Sequence, residues 1–433
     1  MGEAGIRSVA FLIRVYPCPS VVELPLLGLK IFSAVSSLAP PLLWKFSGAS
    51  PVPAYTPPYT MADTTLIHPL ALTLASPHGD IANPRTWSAT PSRILQHLGP
   101  HFACCETINY QLGKRTDFVM RATSRLFRGW NCTRNAWFKP AFERQFRNKW
   151  SALSSPPDAC LHISDFCVPK NLSGKTKHFI YTDSTLLGVV QYQPKPVRAG
   201  FLDSYRKLTR RYLDRVELVF TLNEWTRQRY IAEYNFPADR IINARFGINI
   251  TPWREPKDFN RRLMVIVLRP KLEEAKGLNL LLAALPEIRR TMPDVELAVV
   301  GTQLDSCPPG VTCYFNQPRE KTIELMRAAT LFAMPALCEP NGIVYPEALA
   351  SNTPILGLDR LAFPEFAGDG KYGFIVKEPE AGQCARAILD AFSDPQRLRR
   401  MGEEGQKFAV ENYSWERTAK VMAEAIVARA SRP

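Results

Sequence analysis

From Leu66 onward, short apolar runs alternate with longer stretches of helical periodicity, and this alternation most constrains the fold. Runs of four to eight apolar residues cannot be half-exposed antiparallel strands, because those show polar residues at every second position. Buried on both faces, they belong in parallel sheets covered by helices. In the first half, Pro69–Ala75, Ala159–Ser164, Lys177–Thr182 and Val216–Leu222 read as strands. A helix is expected over Pro91–Leu98 with Thr90 as its cap, and another over Asn223–Tyr234. In the second half the pattern restarts. Leu263–Leu268, Val295–Val300, Val311–Phe315, Leu331–Met334, Pro354–Leu358 and Gly373–Val376 are six strand candidates, with helices between most of them.

At 433 residues and 46% hydrophobic, the chain can bury two cores. Residues 61–248 and 249–412 are expected to form two Rossmann-like, doubly wound domains. The linker lies at Gly247–Pro256, which carries two prolines and little periodicity. Residues 413–433 read as a C-terminal helix crossing back to the first domain. Residues 1–60, rich in proline and apolar residues, read either as a disordered extension or as sequence ahead of a true start at Met61. The run Val21–Trp44 is broken by Glu23, Pro25 and Lys30, so it makes a poor transmembrane helix and a poor signal peptide. Two such domains face each other across a cleft at the carboxyl ends of their strands, where ligands bind.

Two constellations fall in that cleft. In the first, Glu339 and Glu347 stand eight positions apart in Cys338-Glu-Pro-Asn-Gly-Ile-Val-Tyr-Pro-Glu347. Glu339 sits in a strand-to-helix loop, and Glu347 in an early turn of the helix. Asn341-Gly342 lets backbone approach a ligand closely, and the free N–H groups at the helix start suit a phosphate. A carboxylate further along can accept two hydrogen bonds from a ribose diol. The alternative is a surface helix with two solvated carboxylates, since the spacing by itself is common. In the second, Arg269 and Lys276 lie on the loop Leu268–Gly277, after the first strand of the second half. Fixed cations there stabilise the charge on a departing nucleoside diphosphate, and no metal is then required. Lys271 is an alternative to Lys276.

Charge restricts partners without choosing among them. The net charge is +14, and residues 111–150 hold ten Lys or Arg against Asp117 and Glu143. That stretch suits an anionic membrane or acceptor as well as plain solvation. No nucleic-acid fold signature accompanies it. The ten cysteines include no Cys-x-x-Cys and no Cys/His cluster at zinc spacing, so a disulfide framework or structural metal is not expected, and the compartment reads as reducing and cytoplasmic. Cys307 and Cys313 flank a Pro-Pro-Gly turn and can approach each other.

Taken together, these residues resemble family 4 of the glycosyltransferases, retaining enzymes of the GT-B fold. Pro340–Val344 is similar to the family's diphosphate-binding turn, Ala367–Val376 to its closing loop and strand, and Tyr413-Ser-Trp415 to the start of its terminal helix. Tyr181–Thr185 and Phe246–Asn249 resemble segments of a subset of the family. The likeness covers roughly residues 64–430 and is strongest from Leu263 onward. It implies that Glu347 holds the donor ribose and that Glu339 lies beside the transferred sugar. The N–H groups of Gly342, Ile343 and Val344 would bind the diphosphate with Arg269 and Lys276. Asp183 would reach the cleft from the acceptor side. The implied reaction moves a hexosyl unit from a nucleotide sugar, the donor substrate, to a lipid-linked or polysaccharide acceptor, with no cofactor and no metal. Cytoplasmic or peripheral inner-membrane location follows. The chain departs from the family at Leu268, where a glycine is usual, in two extra residues between Arg269 and Lys276, and at Leu361-Ala362 in place of a glycine pair. His162 and His178 have no assigned role. His78, in the loop after the first strand, either approaches the diphosphate or sits on the surface. An inactive GT-B binding module, a nucleotide-sugar epimerase and a phosphorylase are the competing readings.

Overall fold

The computed structural model describes residues 68–119, 122, 139–165, 167–170, 172, 175–192 and 199–431. The extension at residues 1–60 lies outside them, as does much of the basic stretch. Residues from 65 onward form one compact unit.

The first half is a six-stranded parallel sheet: β1 (His68–Ser76), β2 (Phe102–Asn109), β3 (Ala159–Ile163), β4 (Lys177–Thr182), β5 (Val216–Thr221) and β6 (Ile241–Asn243), in the order β2-β1-β3-β4-β5-β6. Its helices are α1 (Thr90–Leu98), α2 (Lys139–Trp150), α3 (Leu186–Val190), α4 (Ala199–Leu213) and α5 (Glu224–Tyr234). The second half is again six-stranded and parallel: β7 (Leu263–Val267), β8 (Glu296–Val300), β9 (Val311–Tyr314), β10 (Leu331–Ala333), β11 (Ile355–Leu358) and β12 (Gly373–Val376), in the order β12-β11-β10-β7-β8-β9. Around it stand α6 (Leu278–Thr291), α7 (Arg319–Ala328), α8 (Val344–Ala350), α9 (Phe363–Ala367), α10 (Ala381–Ser393) and α11 (Pro395–Asn412). Both halves are doubly wound, and together they have the GT-B architecture.

The strand order reverses between β1 and β3 in one sheet and between β7 and β10 in the other. At such a point successive connections leave in opposite directions, and a crevice opens at the carboxyl ends. The last helix, α12 (Trp415–Ala430), returns to pack on α1, β4 and β5. Phe246, Phe366 and Tyr413 join the halves through aromatic contacts of 5.1 to 6.2 Å between ring centres. No helix among the described residues is long and apolar enough to cross a membrane.

One expectation needs correction. Thr90 does not cap α1. Trp87, Ser88 and Ala89 all take left-handed backbone (φ 41°, 56° and 66°), so Thr90 already has helical angles and Ala89 holds the cap position without a side-chain bond. The strands β2 and β6 are not among those expected: β2 follows its short run Phe102–Cys105 with Glu106 and Thr107, and β6 spans only Ile241–Asn243. They are the sheet's edges, and β2 buries only Phe102 and Ile108.

In the middle of the first sheet, His162 Nε2 and His178 Nδ1 lie 3.1 Å apart, with the sulfur of Cys160 nearby. Phe146 stacks on His162 and Trp150 packs on His178. Burial drives both histidines to the neutral form, His162 far below its ordinary pKa and His178 to about 4. The unfolded chain therefore binds more protons below about pH 6.5, and stability must fall as pH falls through that region. Each histidine should add a slope approaching 1.4 kcal/mol per pH unit between about pH 6 and 4. Urea melts at stepped pH check this: H162Q should flatten the acid limb by about that amount, whatever its effect at neutral pH.

Candidate active site

Helix α8 is short, Val344-Tyr-Pro-Glu-Ala-Leu-Ala350, and six of its seven residues are buried. The hydroxyl of Tyr345 donates to the carbonyl of Met334 at 2.7 Å and fixes the helix to the strand it follows. Gly342 turns the chain into the helix at φ +65°. A side chain there would bring a Cβ within 2.5 Å of the Tyr345 ring. Only glycine meets both demands.

The two constellations meet. Lys276 Nζ is in direct contact with Glu339 Oε2, and both side chains are mostly buried. The N–H groups of Leu337 and Cys338 donate to the carbonyl of Ala275 at 2.9 and 3.3 Å, lacing the two loops together. Gly277, at φ +78°, opens α6 where a Cβ would stand 2.0 Å from the carbonyl oxygen of Pro335. Burial lowers Lys276 to about 8, with Arg269 adding to the fall and Cys338 opposing it. The adjacent carboxylate favours its charged form. Lys271, the alternative, sits in the turn at φ +69°.

Glu339 is also bound by the turn after it. Its Oε1 accepts from Gly342 N at 2.9 Å and Asn341 N at 3.4 Å. The N–H of Gly342, expected to face a diphosphate, is therefore engaged by Glu339, while Ile343 and Val344 open the helix at positions whose N–H groups have no intrahelical partner. Asn341 Oδ1 is buried and takes no hydrogen bond from the protein. A buried acceptor in that state is costly, and beside Glu339 it suits a ligand donor such as a sugar hydroxyl.

Glu347 is almost fully buried, and burial raises its pKa. Arg319 Nη2 at 3.0 Å and the N–H of Asn249 at 3.1 Å both reach Oε1 and oppose that rise. Sequence reasoning missed Arg319, whose place at the first position of α7 carries no motif. Its side chain is 52% exposed, and Nη2 also donates to the carbonyl of Asn249 at 3.2 Å.

The first half supplies the opposite wall. Asp183 follows β4, accepting from Ser184 Oγ and, through its carbonyl, from Thr226 Oγ1. His78 Nε2 lies 2.7 Å from Ser164 Oγ, and its ring stacks on Trp87 at 5.1 Å. His78 is thus held at the carboxyl end of β1. Contacts cross between the halves: Arg269 Nη2 donates to Ser88 Oγ at 3.1 Å, and Asn223 Nδ2 to the carbonyl of Pro340 at 3.0 Å. Glu365, whose pKa burial raises, accepts from Glu224 N at 2.7 Å. Where the family has a glycine pair, Leu361 takes φ +55°, a strained conformation for a side-chain-bearing residue.

The model of the family "Glycosyl transferases group 1" matches residues 249–408, which include both glutamates, Arg269 and Lys276. Those residues form a group 1 glycosyltransferase domain. A GDP-mannose-dependent alpha-(1-6)-phosphatidylinositol monomannoside mannosyltransferase of Mycolicibacterium smegmatis is 28% identical over 52% of this chain and 65% of its own length. A D-inositol 3-phosphate glycosyltransferase of Segniliparus rotundus is 34% identical over 36% of this chain and 38% of its own. The chain thus spans less than two thirds of each of these curated relatives. Among solved structures, sucrose-phosphate synthase from Thermosynechococcus elongatus superposes with a TM-score of 0.60 at 18% identity. That match covers 83% of this chain and 99% of that one, and establishes the two-domain fold.

The joint between the loops is the feature on which this group 1 domain's site depends. G277A forces a Cβ against Pro335 and a left-handed alanine at once, which should cost on the order of 3 kcal/mol. Chemical denaturation checks it. An unchanged midpoint would mean the loops do not need this close approach.

Proposed function

We propose that the protein is a retaining hexosyltransferase, taking a sugar from a nucleoside diphosphate and placing it on the hydroxyl of a lipid-linked or polysaccharide acceptor. The observation that carries the reading is the direct contact of Lys276 with Glu339, with the buried Glu347 one helical segment away. Glu347 binds the ribose diol once Arg319 swings aside. Arg269, Lys276 and the N–H groups of Ile343 and Val344 face the diphosphate. The two cations stabilise the charge that grows on the leaving group, which supplies without a metal the stabilisation this step needs. Glu339 and Asn341 lie beside the transferred sugar, and Gly342 allows them that approach. Asp183 presents the acceptor side, and His78 stands over the diphosphate from the first half. In a retaining reaction the acceptor attacks on the face the phosphate leaves. The acceptor hydroxyl's proton then passes to the departing phosphate oxygen as the new glycosidic bond forms.

The acceptor is placed at a membrane by the basic stretch at 111–150. In its described part Phe118 and Val119 are 71% and 57% exposed, close to Lys114 and Arg115. Apolar residues among cations suit peripheral attachment to an anionic leaflet from the cytoplasmic side.

Thermal melts with UDP, GDP or ADP and no added metal test the reading. A nucleotide at one hundred times its Kd should add about 2.7 kcal/mol of stability to the wild type and nothing to E347A. E339A should keep nucleotide binding and lose turnover at least hundredfold. If none of the three nucleotides stabilises the wild type, the transferase reading fails and a partner-binding role replaces it.

A further inference from the structure

Asn249, in the linker between the halves, makes polar contacts with five other residues. Its side-chain Oδ1 accepts from Arg93 Nε at 3.2 Å and from Trp415 Nε1 at 3.0 Å. Its Nδ2 donates to the carbonyl of Ser88 at 3.4 Å. Arg93 lies on α1 and Trp415 opens α12, both packed on the first sheet's side of the molecule. Its main chain faces the other way. The N–H donates to Glu347 Oε1 at 3.1 Å, and the carbonyl accepts from Arg319 Nη2 at 3.2 Å.

The linker cannot shift without moving α8. Trp253 N donates to the carbonyl of Ala350, the last residue of that helix, at 2.9 Å, and Gln406 Nε2 donates to both carbonyls. On the other side of Asn249, a Cβ on Gly247 would fall 2.3 Å from the Trp415 ring, so the backbone is wedged against α12. Ser88, in the left-handed turn, also receives Arg269. The same three-residue turn therefore touches Asn249 and the cation on the diphosphate side.

We infer that Asn249 is a positioning residue: its amide holds the first half in register with Glu347, so that an acceptor bound by one half meets a donor bound by the other. The inference rests on reading Glu347 as the ribose-binding group. It separates two functions that one residue performs. The main-chain N–H holds the Glu347 carboxylate and survives any side-chain change. The amide aligns the halves and does not.

Titration calorimetry with the nucleoside diphosphate that stabilises the wild type, and its release from UDP-glucose or GDP-mannose, test this on the full chain. N249A should bind the nucleotide within threefold of wild type while its turnover falls at least tenfold. N249D keeps an acceptor for both Arg93 and Trp415 and should recover turnover to within threefold of wild type. Full turnover in N249A overturns the inference. So does a loss of affinity in step with a lowered Tm that N249D does not rescue, since that marks a purely structural contact. E347A separates the two levels: if it binds the nucleotide as tightly as wild type, the reading of Glu347 fails and Asn249 falls with it. If E347A loses binding while N249A turns over normally, only the present inference fails. A wild type that releases no nucleoside diphosphate from either sugar nucleotide overturns both.

Discussion

The approach of the β7 loop to the β10 loop sets the rest of the site. In a fully parallel sheet every strand ends at the same side, and reversal of strand order between β7 and β10 leaves those two ends facing one crevice. Gly277 against the carbonyl of Pro335 brings the loops to contact distance, and the bonds to Ala275 hold them there. Lys276 and Glu339 then have no choice but to pair. A lysine and a glutamate mostly removed from water would be expensive apart, so the pair stabilises the loop geometry only as long as both are present. In the proposed reaction the donor's diphosphate would offer Lys276 a second anion.

Glu347 follows a different logic. Burial disfavours its charge, and Arg319 and the Asn249 N–H offset that cost. Arg319 is a long, half-exposed side chain, so its contact is weakly held and readily exchanged for a ligand's hydroxyls. Asn249 is part of the backbone frame and stays. The carboxylate is thus oriented, with one partner on a long exposed side chain and one on the backbone. The first half is joined to this arrangement through Asn249, Ser88 and Asn223, and through an aromatic core shared by Phe246, Phe366 and Tyr413.

The sequence disclosed what is periodic or carries a local constraint. The central strands were legible because burial on both faces demands unbroken apolar runs, as in Met264–Ile266. The edge strands β2 and β6 were not: β2 carries Glu106 and Thr107 among exposed and half-buried positions, and β6 is only three residues long. The loop glutamates and the turn at Gly342 were readable from residue type and spacing. The left-handed turn at Trp87–Ala89 was not: nothing in Trp-Ser-Ala signals positive φ, and its contacts include partners more than 150 residues away, Asn249 and Arg269. Arg319 and the amide of Asn249 escaped notice for the same reason. Their partners are distant in sequence, and a surface arginine or a linker asparagine looks ordinary until the fold closes around it.

The central claim is that the buried Glu347 carboxylate reads the two hydroxyls of a nucleotide's ribose. Affinity for the nucleoside diphosphate should be compared with that for its 2′,3′-dideoxy analogue, in wild type and in E347A. Two hydrogen bonds to a charged group, at about 1.5 kcal/mol or more each, predict a loss of roughly hundredfold in wild type. The ribo and dideoxy forms should bind E347A equally. Equal binding of both forms by the wild type would contradict the account.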